Sequence, residues 1–309
     1  MSTLPPEDAP MPDNDTANMR LHAYTYRLPT APRIVVPPPT LSADMPTLSV
    51  GHVATPVDEI DCGFLKEYSL ENIVRENTLL EWAYDRRRQA QLILPWLYLG
   101  PMTAAKDKAF IAREGITMVL AIRTNHSSMN GVLRAAREAG PEVATIEAAN
   151  YHALVGKFAE ATRLINRHVA NIRDLAIKAG NPQLGKVLVF CESGNEKSAV
   201  VTAAYLMEML DDFDYIKAMQ VCQAQRFCVN FDDTLKGILR AHWDILLAKR
   251  SVANSRQELL QSSNLTAGLQ QRSIDDTHDD EAMELDSSRD PSDLLRFSGR
   301  DNTPFRDQN

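Results

Sequence analysis

Cysteine is scarce in this chain: four residues in 309, at positions 62, 191, 222 and 228, with no CxxC pair. So few thiols, so widely spread, exclude a disulfide framework and zinc-ligand spacing and imply reduced side chains. An excess of basic charge is also missing, since 33 Lys and Arg stand against 41 Asp and Glu. Without a basic stripe or an aromatic and basic motif, nucleic acid is excluded as a partner. No apolar run reaches the length of a membrane span, and the first residues lack the basic start and apolar stretch of a signal peptide. An intracellular protein with no membrane partner is expected, in the cytoplasm, the nucleus or both. No internal repeat is present, and no metal or cofactor is expected.

What is there is unevenly placed. Of 17 prolines, 11 precede Asp58, among few large apolar residues in any regular spacing. Residues 1–57 therefore read as a Pro-rich disordered tail. From Ser251 the chain turns polar and acidic, with Asp275, Asp276, Asp279, Asp280, Glu281, Glu284 and Asp286 crowded together. Residues 251–309 read as a second, acidic disordered tail, and Ser287 and Ser288 in it as phosphorylation targets or simply solvated residues. Between them, residues 58–250 have the apolar content of one globular domain. The formal charge is −2 before Asp58, zero across the domain and −6 after Arg250.

The domain alternates strand and helix signals. Ser69–Gln91 reads as a helical lead-in. The run ILPWLYLGP reads as a short strand broken by Pro95 and closed by Gly100 and Pro101, and Thr103–Arg113 as a helix ending at Gly115. Ile116–Ile122 is a continuous apolar run of the kind buried on both faces of a parallel sheet, and Val143–Ile146 is a second strand. Apolar residues at helical spacing from Phe158 to Ala179 predict a long helix stopped by Gly180, Asn181 and Pro182. Next come a strand ending at Cys191 and a helix over SAVVTAAYLMEML. Tyr215–Gln225 and Phe231–Leu247 supply two more helices. The order predicts an α/β sandwich with a mostly parallel central sheet and helices on both faces.

One loop carries chemistry. A buried strand that turns tightly into a helix aims several backbone N–H groups at one point, with the helix dipole behind them, which makes an anion site. In CESGNEKS, Cys191 stands at the strand end and Gly194 permits the turn. Lys197 follows the cysteine by six positions, and Ser198 adds a hydroxyl. Glu192, Ser193, Asn195 and Glu196 complete the phosphate-binding loop. The N–H groups and dipole would favour a thiolate at Cys191 that can attack phosphorus. The plainer reading makes Cys191 an inert buried thiol and Lys197 a solvated first-turn lysine. The Gly194, Lys197 and Ser198 spacing argues against the first, and the unfavourable place of a cation at a helix N-terminus against the second.

This pattern is similar to the HCxxGxxRS signature of the protein tyrosine and dual-specificity phosphatases. The stretches EWAYDRRRQAQLILPWLYLGP, GITMVLAIR, GKVLVFCESGNEKSAVVTAAYLMEM and AQRFCVN follow one another as in the STYX-like pseudophosphatase branch of that family. The resemblance spans about Trp82 to Arg250. It implies a compact phosphatase-type α/β domain, with phosphotyrosine, phosphoserine or phosphothreonine proteins as partners, protein kinases among them. Arg226 falls in the RFCVN turn that the family places near the substrate mouth. An arginine favoured by the dipole at a helix C-terminus is an equally simple account of it.

The departures from the signature bear on activity. Phe190 occupies the family's histidine position. Lys197 stands at the arginine position, and a lysine gives a flexible point charge where arginine gives a planar two-bond fork. The general acid is normally an aspartate after the preceding strand, worth about 10²–10⁴-fold. From Val143 to Phe158 there is no aspartate. Glu147 is the one carboxylate there, at the strand end, and His152 reads as a surface residue. Glu192 and Glu196 set negative charge beside a pocket for a phosphate dianion unless both point outward. Cys222 and Cys228 read as packing groups. Recognition is favoured over turnover, with a slow phosphatase acting through a phosphocysteine at Cys191 and an adaptor that binds no phosphate as alternatives. The oligomeric state is not legible.

Overall fold

A computed structural model describes residues 33–37, 48–51, 62–70 and 82–270, the last fourteen by their backbone course alone. Five strands form one sheet: β1 (Gln91–Leu94), β2 (Leu97–Pro101), β3 (Met118–Arg123), β4 (Glu142–Glu147) and β5 (Val187–Cys191). Their order is β1-β2-β5-β3-β4. Only β1 and β2 pair antiparallel; the pairs β2/β5, β5/β3 and β3/β4 are parallel. The expected single strand broken at Pro95 is thus a hairpin, with Pro95 and Trp96 as its turn. Gly100 closes nothing. It lies inside β2, where a Cβ would come within 2.6 Å of the Ala90 side chain.

Eight α-helices lie among the described residues, besides short 3₁₀ helices at Gly63–Glu67 and Tyr84–Arg88: α1 (Met102–Lys106), α2 (Lys108–Glu114), α3 (Asn130–Glu138), α4 (Tyr151–Val155), α5 (Phe158–Lys178), α6 (Lys197–Met209), α7 (Tyr215–Gln225) and α8 (Asp233–Gln270). The helix expected over Thr103–Arg113 is split, because the Asp107 carboxylate accepts the N–H groups of Ala109 and Phe110 and starts a new helix. Gly115 ends that helix in the left-handed region, as its position predicts. Of the expected lead-in over Ser69–Gln91, residues 71–81 lie outside the described residues, and Tyr84–Arg88 forms one short 3₁₀ turn.

Strand alternation divides the core in two. Val187, Val189 and Cys191 face the larger cluster with residues of α5, α6, α7 and α8. Leu188 and Phe190 face the smaller one with Ala104, Phe110 and Leu133 from α1, α2 and α3. The central strands β3 and β5 are buried along their whole length, which explains their unbroken apolar runs.

Both edges assigned to the domain differ from expectation. Within residues 1–57, Leu48 and Val50 are buried in the larger core, and Val50 bridges Leu210. Two apolar residues alternating over so short a stretch leave no periodicity to read. Arg33 also donates to the Asp233 carboxylate at 3.0 Å. At the other end, α8 does not stop near Leu247 or Arg250 but continues to Gln270, in a stretch without proline.

Candidate functional site

The loop from Cys191 to Ser198 joins β5 to α6 at the carboxyl end of the parallel strands, where open α/β sheets place their ligand sites. Cys191 is 2% exposed, and its sulfur receives the Gly194 N–H at 3.3 Å and the Ser198 hydroxyl at 3.1 Å. The loop therefore closes around the sulfur. Gly194 has φ of 73°, and a Cβ there would sit 2.5 Å from the carbonyl carbon of Gly100. Both the dihedral and the approach to β2 demand glycine. Met102 N–H donates to the Glu192 carbonyl at 3.4 Å, so the loop also leans on the start of α1.

Behind the loop stands Arg226, at the end of α7 and fully buried. Its Nε donates to the Gly194 carbonyl at 3.0 Å, and its Nη2 to the Ser193 carbonyl at 3.0 Å, to Asn195 Oδ1 at 3.1 Å and to the Arg87 carbonyl at 2.8 Å. Nη1 donates to the Gln89 carbonyl at 2.8 Å and to the Gln91 side chain. Six acceptors, none of them a carboxylate, hold this guanidinium. Burial pulls its pKa below the usual value, a shift that Cys228 and Cys191 oppose. Arg226 takes the Ser193 and Gly194 carbonyls, while the Gly194 N–H goes to the Cys191 sulfur and the Asn195 N–H to the Ser193 hydroxyl at 3.2 Å. The arginine stands at the C-terminal end of α7, one of the two positions the sequence allowed, but is buried beneath the loop. Asn195 is fixed twice more, by the Cys228 thiol at 3.2 Å and by the Asn230 N–H on its carbonyl at 2.9 Å.

The front of the loop is arranged differently. The half-buried Lys197 ammonium donates to the hydroxyl of Thr124, just past the end of β3. Glu192 is exposed. The Glu196 carboxylate accepts the Tyr151 hydroxyl, and this bond, burial and the Glu196 charge push the Tyr151 pKa up to about 12. Of the two suspect carboxylates, then, one is exposed and one is tied to the Tyr151 hydroxyl. Phe190 is fully buried in the opposite core, so no ring nitrogen supports the loop from that position.

The loop after β4 runs through Asn150, whose side chain caps α4 by accepting the Ala153 N–H at 2.8 Å. His152 is exposed there. Glu147 is turned to another task. It accepts from the buried Arg123 at 2.7 Å and lies 3.1 Å from His126 Nδ1. The His126 contact and the Arg123 guanidinium hold its carboxyl below the ordinary range against a smaller opposing effect of desolvation. Thr124, Tyr151 and Arg123 were not singled out in the sequence. Arg123 left one sign, a cation closing an otherwise apolar strand, but its partner follows only from the β3/β4 register, which sets Arg123 opposite Glu147. Cys222 is buried among apolar groups that push its thiol pKa up, and it packs as expected.

A thiol at the end of a central parallel strand, enclosed by a braced loop that opens onto a helix N-terminus, defines a dual-specificity-phosphatase-like protein. No protein-family model matches the chain. Serine/threonine/tyrosine-interacting protein A of Xenopus laevis is 30% identical over 177 residues, which cover 56% of this chain and 72% of that protein. The chain belongs to this serine/threonine/tyrosine-interacting protein family. Dual specificity protein phosphatase 26 of Rattus norvegicus is 27% identical over 155 residues, covering 50% of this chain and 68% of that protein. The crystal structure of human tyrosine phosphatase-like serine/threonine/tyrosine-interacting protein matches at 25% identity and a TM-score of 0.36, over 52% of this chain and 99% of that one. Among the described residues no helix is long and apolar enough to cross a membrane, and no group of acidic, histidine or cysteine side chains is arranged to hold a metal.

Proposed function

We propose that this chain is a pseudophosphatase that recognises phosphorylated segments of serine-, threonine- or tyrosine-phosphorylated proteins without efficient turnover. The observation that carries the reading is Glu147. It is the one carboxylate between Val143 and Phe158, and Arg123 and His126 keep it ionised. An ionised carboxylate has no proton to give a leaving oxygen, and loss of a general acid costs about 10²–10⁴-fold in rate. Lys197 supports the same conclusion. A single ammonium shared with Thr124 can attract a phosphate, but it lacks the planar fork that follows the transferring phosphoryl group.

The frame of the loop favours binding. Cys191, Gly194 and Ser198 keep their mutual contacts, and Arg226 fixes the carbonyls behind them. Glycine and lysine at those positions fit a cradle for a phosphate more simply than an adaptor face elsewhere on the domain. The retained sulfur, with its two hydrogen bonds, supports a slow phosphocysteine route as a second reading. An intracellular setting fits four cysteines that form no disulfide.

Two measurements on the full chain test this. Turnover of an aryl phosphate is compared for wild type, Lys197→Arg and Cys191→Ser, and phosphopeptide binding is followed by calorimetry. Expected are a rate about 10²-fold or more below that of active phosphatases of this fold, little gain from Lys197→Arg, and heat that Lys197→Ala removes. Wild-type turnover at the rate of an active member, abolished by Cys191→Ser, overturns the proposal. Absence of loop-dependent heat turns the reading toward the adaptor.

A further inference from the structure

The first helical bond of α6 runs from the Val200 N–H to the Glu196 carbonyl at 2.8 Å, which leaves the N–H groups of Lys197, Ser198 and Ala199 without an intrahelical acceptor. Ser198 also donates its hydroxyl to the Cys191 sulfur, so these donors stand at the loop that would hold a phosphate. Such a helix end attracts an anion. The chain carries one of its own there. Glu196 occupies the N-cap position of α6, where serine, threonine, aspartate and asparagine are the usual residues, and its side chain makes no capping bond. Its carboxylate accepts the Tyr151 hydroxyl instead.

Two attractions act on that carboxylate from α6. One is the set of three N–H groups with the helix dipole behind them. The other is the ammonium of Lys197, the next residue along the chain, which donates to Thr124. Against both stands the single hydrogen bond from Tyr151. Asp232 also lies within electrostatic reach of the Tyr151 hydroxyl, but it already caps α8 by accepting the Leu235 N–H at 2.8 Å.

Tyr151 is the fixed member of the pair. It opens α4 directly after Asn150, whose side chain caps that helix by accepting the Ala153 N–H, and its ring packs against the larger core. Glu196 is half-buried at the head of α6 and has three side-chain torsions with which to turn.

We propose that Tyr151 is a positioning residue for the phosphate site: its hydroxyl holds the Glu196 carboxylate off the N–H groups of Lys197, Ser198 and Ala199, so that an incoming phosphate takes them. This rests on the reading of the loop as a phosphate cradle. A cradle filled part of the time by its own glutamate binds phosphate more weakly, in proportion to the fraction left open.

Calorimetry of the full chain with inorganic phosphate compares wild type, Tyr151→Phe, Glu196→Ala and the double variant. Phenylalanine keeps the ring in the core, and equal thermal midpoints verify the fold. Tyr151→Phe should bind phosphate about five- to tenfold more weakly than wild type, whereas the double variant should bind like Glu196→Ala. That dependence on the background separates positioning of Glu196 from support of the fold. Amide ¹H–¹⁵N spectra without phosphate give a second readout. In Tyr151→Phe the N–H protons of Lys197, Ser198 and Ala199 should move downfield of their wild-type places as they donate to the freed carboxylate, and no such shift should separate Glu196→Ala from the double variant. Equal phosphate affinity of wild type and Tyr151→Phe overturns the inference. An equal loss on both backgrounds makes the hydroxyl a direct donor to phosphate and overturns it too. If neither wild type nor any variant binds phosphate, the cradle reading fails, and the amide shifts decide the positioning alone: shifts confined to the background that keeps Glu196 uphold it, and their absence sinks it.

Discussion

The back and the front of the loop 191–198 are built to different standards. Behind it, every polar group is over-determined: one buried guanidinium meets six acceptors, and a glycine is forced both by its dihedral and by the backbone of β2. In front, Lys197 and Glu196 each lean on a single neighbouring hydroxyl, and the segment after β4 presents an asparagine that caps α4. The difference teaches that the cradle and the chemistry of such a site are separable. The cradle is backbone, held by core residues, and it persists as long as the fold does. The chemistry rests on a few half-exposed side chains whose replacement leaves the fold untouched.

Arg226 tests that contrast most severely. Arg226→Met removes the donor from six acceptors, of which the Gly194 carbonyl and the Gln91 side chain are buried, and should cost about 3 kcal/mol. For a domain of this size the thermal midpoint should fall by roughly 10 °C. Arg226→Lys should recover only a minor part, because one ammonium cannot span acceptors on both the loop and the Arg87–Gln91 segment. A variant that melts like wild type would break the comparison, since the back of the loop would then be no firmer than the front.

At the front, Glu196→Gln removes a negative charge beside the phosphate position while keeping an acceptor for the Tyr151 hydroxyl. Phosphopeptide or inorganic phosphate should bind about three- to tenfold more tightly, with the melting curve unchanged. Weaker binding measured by calorimetry would mean that the carboxylate organises the mouth rather than opposing the ligand.

The smallest effect is one of pH. Because the Glu147 carboxyl is depressed in the folded protein, its contribution to stability is present above its ordinary value of 4.5 and is lost as pH falls through the depressed value. Wild type and Glu147→Gln should therefore differ in thermal midpoint at neutral pH and converge in the acid range below about 4.5. A gap that stays constant down to the lowest pH would show that Glu147 does not serve the buried Arg123.

Much of this architecture was legible because it depends on local pattern. Two wholly buried strands leave unbroken apolar runs at Ile116–Ile122 and Val187–Cys191, and Gly115 and Gly180 mark helix ends by their freedom to take positive φ. The hairpin at Pro95 was less legible, since a turn of two residues inside an apolar run resembles an interruption of a single strand. Asp107 divided a helix for the reason that its side chain competes for backbone donors, a choice that composition alone leaves open. Leu48 and Val50 were too short a pattern to distinguish from their surroundings.

By itself, the sequence determined the alternation of strand and helix, the strand-to-helix turn at Cys191, and the residue types offered to a phosphate there. Spacing of one glycine, one lysine and one serine along eight residues suffices for that, because the loop is a local structure. Only the tertiary structure decided which groups serve it. It sent Phe190 to the opposite core by strand alternation, brought Arg226 back beneath the loop, bound Glu147 to Arg123 across the β3/β4 register, and placed Tyr151 over Glu196. These partners are separated by 24 to 45 residues in the chain, and no local periodicity records them. Burial and register set their distances, and those distances decide whether a carboxylate has a proton to give.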